Sequence, residues 1–181
     1  FNEVFFDEVR VPKENLVGEK NRGWYQLAVA LDFERSGVAA PAAARRTLEE
    51  LLRYVKESRR NGGAVAKEPL VRHKLADLAV DIEISRMLCY RVAWMQSQGL
   101  IPNYEASMGM LFGSELMRHL ANVGMQILGL PGLLDRGSKW APLRGAILRS
   151  YLTSVSIGVG GGTTEIQRNI IAIRGLGLPR A

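Results

Sequence analysis

The 181-residue sequence has a single cysteine, Cys89, and two histidines, His73 and His119. One cysteine excludes a disulfide framework, and so few nitrogen and sulfur ligands leave little for a zinc site. A reducing, cytoplasmic setting is the expectation. No apolar run approaches the roughly 20 residues of a membrane-spanning helix, so an integral membrane protein is excluded. Internal repeats and low-complexity segments are also missing. The chain opens on Phe1 rather than Met and continues charged and strand-like, unlike a signal peptide. It reads as a piece of a longer protein.

What is present is a soluble, globular balance: 47% apolar and 23% charged residues, enough for one domain of ordinary size. The formal charge of +6 invites a nucleic-acid or acidic partner. The basic residues are nevertheless spread through the chain, often beside acids, as at Arg45, Arg46, Glu49 and Glu50. The densest group, Arg53, Lys56, Arg59 and Arg60, has helical spacing. A solvated helix face accounts for it more simply than a phosphate site, and no nucleic-acid role is expected.

Residues 1–11 are rich in β-branched and aromatic side chains, which predicts extended chain up to Pro12. So little strand cannot build a sheet with its own core and points to the edge of a neighbouring one. From Trp24 to about Arg60 the apolar spacing is helical, with Pro41 predicting a kink where its ring meets the carbonyl of Gly37. Asn61-Gly62-Gly63 ends that helix. Pro69 opens a second, which runs to Gly99 with Leu75, Leu78, Ile82, Cys89 and Val92 on one stripe. A third follows Pro102-Asn103, with Asn103 as cap, and stops near Gly129-Leu130-Pro131-Gly132. A shorter helix covers about 141–157. A final one follows Gly160-Gly161-Gly162, where Thr164 and Gln167 have capping-box spacing. The predicted fold class is all-α: an up-down four-helix bundle with a short N-terminal extended segment and a last helix after a glycine-rich turn.

Three places can carry chemistry. Glu34 sits in Leu31-Asp32-Phe33-Glu34-Arg35-Ser36-Gly37, among small and apolar residues near the predicted kink. Poor hydration there raises a carboxylate's pKa toward neutrality, which suits a general base. A salt bridge to Arg35 or to another helix is the plainer structural account. Gly160-Gly161-Gly162-Thr163-Thr164 permits close backbone approach ahead of a helix start, which can cradle a phosphate or polarise a carbonyl, or simply turn the chain. No Gly-Lys-Ser/Thr follows, so a nucleotide P-loop is disfavoured. Gln126, near the end of the third helix, is on its own a capping or surface residue. The serines, histidines and cysteine show no triad order.

Together these motifs resemble the C-terminal part of the acyl-CoA dehydrogenases over essentially the whole chain. FFDEVRVPKENLVGEKNRGW resembles the exit from that family's middle β-domain, HKLADLAVDIEISRMLCYRVAW its second bundle helix, and GGTTEIQRNIIA the entry to its final helix. The resemblance implies residues 1–18 as the end of the β-domain and linker, and 19–181 as the helical domain. It implies a flavoenzyme that oxidises the α–β bond of an acyl-CoA thioester, sends hydride from Cβ to FAD, and delivers electrons to an electron-transferring flavoprotein. Many members carry the base as a Glu in the turn before the last helix, but here those positions are Gly160, Gly161, Gly162 and Thr163. A subset resembling isovaleryl-CoA and long-chain acyl-CoA dehydrogenases supplies it from a Leu-Asp-x-Glu-Arg run on the first bundle helix, and that run matches Leu31-Asp32-Phe33-Glu34-Arg35. Glu34 is then the implied base and Gly161 the implied backbone donor to the thioester oxygen. By the same resemblance Arg59, Gln126, Thr163 and Glu165 touch FAD, and Asp32 and Arg35 lie near the CoA arm and active site. Gly62 and Leu130 depart from the family's aromatic residue and second glycine.

The resemblance further implies a dimer or tetramer, or a mixed-subunit assembly, and a fragment that is inactive and holds FAD weakly without its missing domains. Three alternatives stand beside it: a non-catalytic partner subunit, an oxygen-using acyl-CoA oxidase or flavin monooxygenase relative, and a stand-alone helical interaction module.

Overall fold

Apolar residues recurring every three to four positions select helices that bury one stripe each, and a computed structural model shows how those stripes meet. It describes residues 2–34, 37, 39–60 and 62–180, apart from the side chains of Asp32, Phe33 and Glu34. Helix α1 spans Gly23–Glu34, α2 Ala39–Glu57, α3 Pro69–Ser97, α4 Tyr104–Leu128, α5 Ala146–Ile157 and α6 Thr164–Ile170, the last continuing as a π-turn to Gly175. The core is the meeting of α2, α3, α4 and α5, where Leu51, Leu78, Leu120 and Ile147 are each at most 1% exposed. The all-α bundle read from the sequence is therefore the architecture, with α4 as its axis. No helix of the described residues is long and apolar enough to cross a membrane.

Four local expectations need correction. The kink expected at Pro41 is a break: Gly37 is not helical, and Pro41 is the third residue of α2. In a first turn the backbone N–H has no intrahelical partner to lose, so proline is accommodated where mid-helix it would clash. Asn61-Gly62 does more than end a helix. Strands β1, Arg59–Arg60, and β2, Gly63–Ala64, pair antiparallel across it, with Gly62 at φ +79° as a two-residue hairpin turn requires. The helix expected from 141 starts at Ala146, because Leu143 and Arg144 adopt left-handed backbone (φ +49° and +54°) in a preceding 3₁₀ turn. At the last helix the cap is Thr163, whose Oγ1 accepts from Ile166 N at 3.3 Å, so Thr164 and Gln167 form no capping box.

Residues 2–22 contain one 3₁₀ turn, Lys13–Asn15, and no strand pairing among the described residues. Their apolar side chains face outward: Phe5 is 84% and Phe6 82% exposed. Trp24, Tyr25 and Leu27 of α1 are exposed as well, so neither segment contributes to the core.

α5 packs closely on α4 at Gly124. A Cβ added there would stand 2.9 Å from Ile147 Cγ2 and 3.3 Å from its Cδ1. Cγ2 is held directly on a β-branched, fully buried residue and has no rotamer to retreat to. Gly124→Ala is expected to destabilise the fold by about 1–3 kcal/mol, as overpacking does, read as a lower midpoint in urea unfolding.

Candidate functional site

The break between α1 and α2 opens onto a cavity of about 300 Å³. Its wall includes Gly37 and Ala40 at the break, Cys89 on α3, Met110 and Met117 on α4 and Ile157 on α5. The Cys89 thiol donates to the Gly37 carbonyl at 3.6 Å, tying the break to α3. Burial pushes that thiol's pKa up, so it stays protonated and serves as donor rather than nucleophile. Glu34, three residues before Gly37, ends α1 by its backbone. Its side chain and that of Asp32, like Arg35 as a whole, lie outside the described residues.

The glycine-rich turn packs against Met110 of the cavity wall. Gly161 (φ +70°) and Gly162 (φ +106°) adopt backbone that other residues rarely do. A Cβ on Gly161 would come within 2.5 Å of Met110 Cε, on the cavity wall. The turn is held from behind by Gln167, 1% exposed, whose Nε2 donates to Gly161 O at 3.1 Å and Gly162 O at 3.2 Å. Its Oε1 is buried without a hydrogen-bond partner. Arg168 pairs with Glu115 and fixes α6 along the N-terminal half of α4. Thr163 and Glu165 follow at the start of α6. The Glu165 backbone N–H and the hydroxyls of Thr163 and Thr164 hold the Glu165 carboxyl below the usual range.

Arg59 and Gln126 lie elsewhere. Arg60, next to Arg59 in the hairpin, donates to Ile127 O at the C-terminal end of α4, and Lys74 Nζ donates to Gln126 Oε1. Arg59 itself is exposed and makes no ion pair with a described residue. Residues 53–74 hold seven Lys and Arg against Glu57 and Glu68, an excess of five out of the chain's formal +6. A diphosphate fits such a corner. Met110 and Gln126 are sixteen residues apart on α4, about 24 Å at 1.5 Å per residue. The four candidate cofactor residues thus form two groups, Thr163 with Glu165 at one end of α4 and Arg59 with Gln126 at the other.

Sequence reasoning missed Gln167 and Cys89 as parts of the site. Gln167 was visible only as half of a capping box. Cys89 was one more member of an apolar stripe, and nothing in its neighbourhood signals a contact with a residue 52 positions away.

Comparison with known proteins places the chain. The family model described as "Acyl-CoA dehydrogenase, C-terminal domain" matches residues 21–176. Acyl-CoA dehydrogenase FadE26 of Mycobacterium tuberculosis (strain ATCC 25618 / H37Rv) is 33% identical over 183 residues, which is 98% of this chain and 46% of that protein. The probable acyl-CoA dehydrogenase YngJ of Bacillus subtilis (strain 168) is 33% identical over 94% of this chain and 43% of its own length. The crystal structure of the ChsE4-ChsE5 complex from Mycobacterium tuberculosis superposes with a TM-score of 0.86 at 33% identity, over 98% of this chain and 45% of that one. The chain belongs to the acyl-CoA dehydrogenase family and carries its C-terminal helical domain. It spans less than half the length of the curated relatives it matches.

Gln167 offers a direct check on how the glycine turn is held. Gln167→Leu removes one donor from two carbonyls and is expected to cost about 1–3 kcal/mol. Amide hydrogen exchange at residues 160–164 should quicken more than at α3, showing that the loss is local to the turn.

Proposed function

We propose that the complete protein oxidises the α–β bond of an acyl-CoA thioester to a 2-enoyl-CoA, with Glu34 as the base that takes the α-proton. The observation that supports this reading is the cavity: Gly37, three residues after Glu34, is on its wall, and the Met110 side chain on the same wall packs against Gly161. FAD, when bound, supplies the acceptor for the hydride leaving Cβ. Glu34 abstracts the α-proton only if the thioester oxygen is stabilised as charge arrives on it. Gly161 provides a backbone N–H there, a donor that needs no side chain, and Gln167 restrains the turn by holding the carbonyls of the two peptide units that follow. The apolar cavity excludes water and keeps the carboxylate poorly hydrated, favouring its protonation as the substrate ionises. Asp32 and Arg35 flank the base beside the CoA arm. Electrons leave to an electron-transferring flavoprotein, in a cytoplasmic enzyme whose residues 1–18 close a preceding β-domain.

The two ends of α4 contribute separately to cofactor binding. Thr163 and Glu165 serve the flavin at the chain's own cavity, while Arg59, uncompensated by any acid among the described residues, meets a pyrophosphate alongside Gln126. Their separation supports an oligomer in which each copy, or an unlike partner, completes a neighbour's site. A mixed assembly is the second reading, favoured by the two-chain complex among the similar structures and by Gly62 and Leu130 in the distal group.

In the full-length protein, Glu34→Gln should keep flavin bound while abolishing substrate-induced bleaching of its absorbance under anaerobic conditions. Undiminished bleaching removes Glu34 from the role of base. The ratio of flavin to chain separates the two assemblies: a homo-oligomer of the purified protein carries one flavin per chain, whereas a mixed assembly reaches its full complement only when the partner is co-expressed.

A further inference from the structure

The cavity beside the break is hollow for a specific reason. Gly109 and Gly113 face it from α4 and Ser85 from α3, so the two helices there present no bulk toward one another. A Cβ built on Gly113 meets nothing closer than Ser85 Oγ at 3.8 Å, and one on Gly109 meets nothing within 4 Å. A cavity of about 300 Å³ is about twice the 150 Å³ of an engineered apolar cavity that takes up benzene. It therefore holds a six-membered ring with part of a connecting chain, and is wider than one polymethylene chain needs.

Its polar groups narrow the choice further. Among the described residues, three polar side chains are on the wall. Ser114 Oγ donates to Leu111 O at 2.9 Å, and the Cys89 thiol is given to Gly37 O. Ser85 is 1% exposed, and no hydrogen bond joins its hydroxyl to another described residue. That hydroxyl is on the cavity lining, where a ligand oxygen can accept its hydrogen bond. We propose that this cavity selects acyl groups bearing a ring with an oxygen substituent, and that Ser85 determines the specificity by hydrogen-bonding to that oxygen. The inference rests on the acyl-CoA dehydrogenase reading and adds the class of acyl group.

The test uses full-length, flavin-loaded protein and three thioesters: butyryl-CoA, 3-cyclohexylpropanoyl-CoA and 3-(4-oxocyclohexyl)propanoyl-CoA. Flavin bleaching gives kcat/KM for each. The wild type should prefer the oxo-ring substrate to the plain ring by about tenfold, near the worth of one buried neutral hydrogen bond. Ser85→Ala should bring that ratio to about one. Gly113→Leu grows a side chain into the hollow rather than into packed atoms, and should lower the ring-to-butyryl ratio about a hundredfold, with flavin retention reporting an intact fold. Unchanged ratios in both variants overturn the inference. Bleaching by butyryl-CoA with none by either ring substrate overturns it too, while leaving the dehydrogenase reading in place. No bleaching by any of the three overturns both.

Discussion

The structure turns on what α4 leaves out. Along this axial helix, glycine replaces a side chain at 109, 113 and 124, and the neighbours respond in opposite ways. At Gly124 the vacated volume is taken up by Ile147, whose Cγ2 sits where a Cβ would collide. At Gly109 and Gly113 nothing closes in, and the space stays open as the cavity. The difference lies in the facing residue. α5 brings a branched, inflexible side chain to one end, while α3 brings the small side chains of Ser85 and Cys89 to the other. Contact at the first site fixes the interaxial distance, because close-packed cores resist compression. That fixed distance then keeps the second site from collapsing, so the well-packed end of the bundle sustains the hollow end.

The break between α1 and α2 is the second constraint, and it follows from where Pro41 falls. Proline in a first turn ends nothing itself, but it makes continuation from the preceding helix costly, since its ring would press on the carbonyl four residues back. Gly37 supplies that carbonyl and leaves the helix instead. That carbonyl accepts from the Ala40 N–H at 3.2 Å and from the Cys89 thiol, so the break is anchored to the longest helix of the bundle. Gly37, and with it the start of α2, thereby has a defined position relative to α3.

How much of this the sequence discloses depends on how local the cause is. α3 and α4 are legible because their apolar stripes run over many turns and proline or a proline-asparagine pair marks their starts. The hairpin at Arg59–Ala64 was written in Asn61-Gly62, but the helical reading of Arg53 to Arg60 masked it; two-residue strands carry no periodicity. The cap at Thr163 was missed by one position, because a Thr-Thr pair offers two candidates and only the buried Gln167, drawn back to the glycine carbonyls, decides between them. The proposed pairing of Glu34 with the glycine turn, 127 residues later, has no local signature at all. It was accessible only through family resemblance. The cavity was less legible still, since Ser85 and Gly113 look like ordinary helix positions until α3 and α4 are placed side by side.

The rigidity of α4 also bears on the cofactor residues. A 25-residue helix packed on several sides does not shorten, so Met110, against which the glycine turn packs, stays roughly 24 Å along the axis from Gln126. Side-chain movement cannot merge the two candidate groups into one compact pocket. Either a single long ligand runs the length of α4, or the two groups face different ligand molecules. The direction of the charge favours the second alternative. The densest cationic excess lies at the hairpin end, where Arg59 has no acidic partner among the described residues, whereas the glycine-turn end carries Glu165, held as a carboxylate. One extended cofactor would need its phosphates at the hairpin and its uncharged rings at the turn, with every intermediate atom supported along the helix. Two copies related by symmetry need no such support, because each helix end meets the matching part of a ligand held mainly by its neighbour.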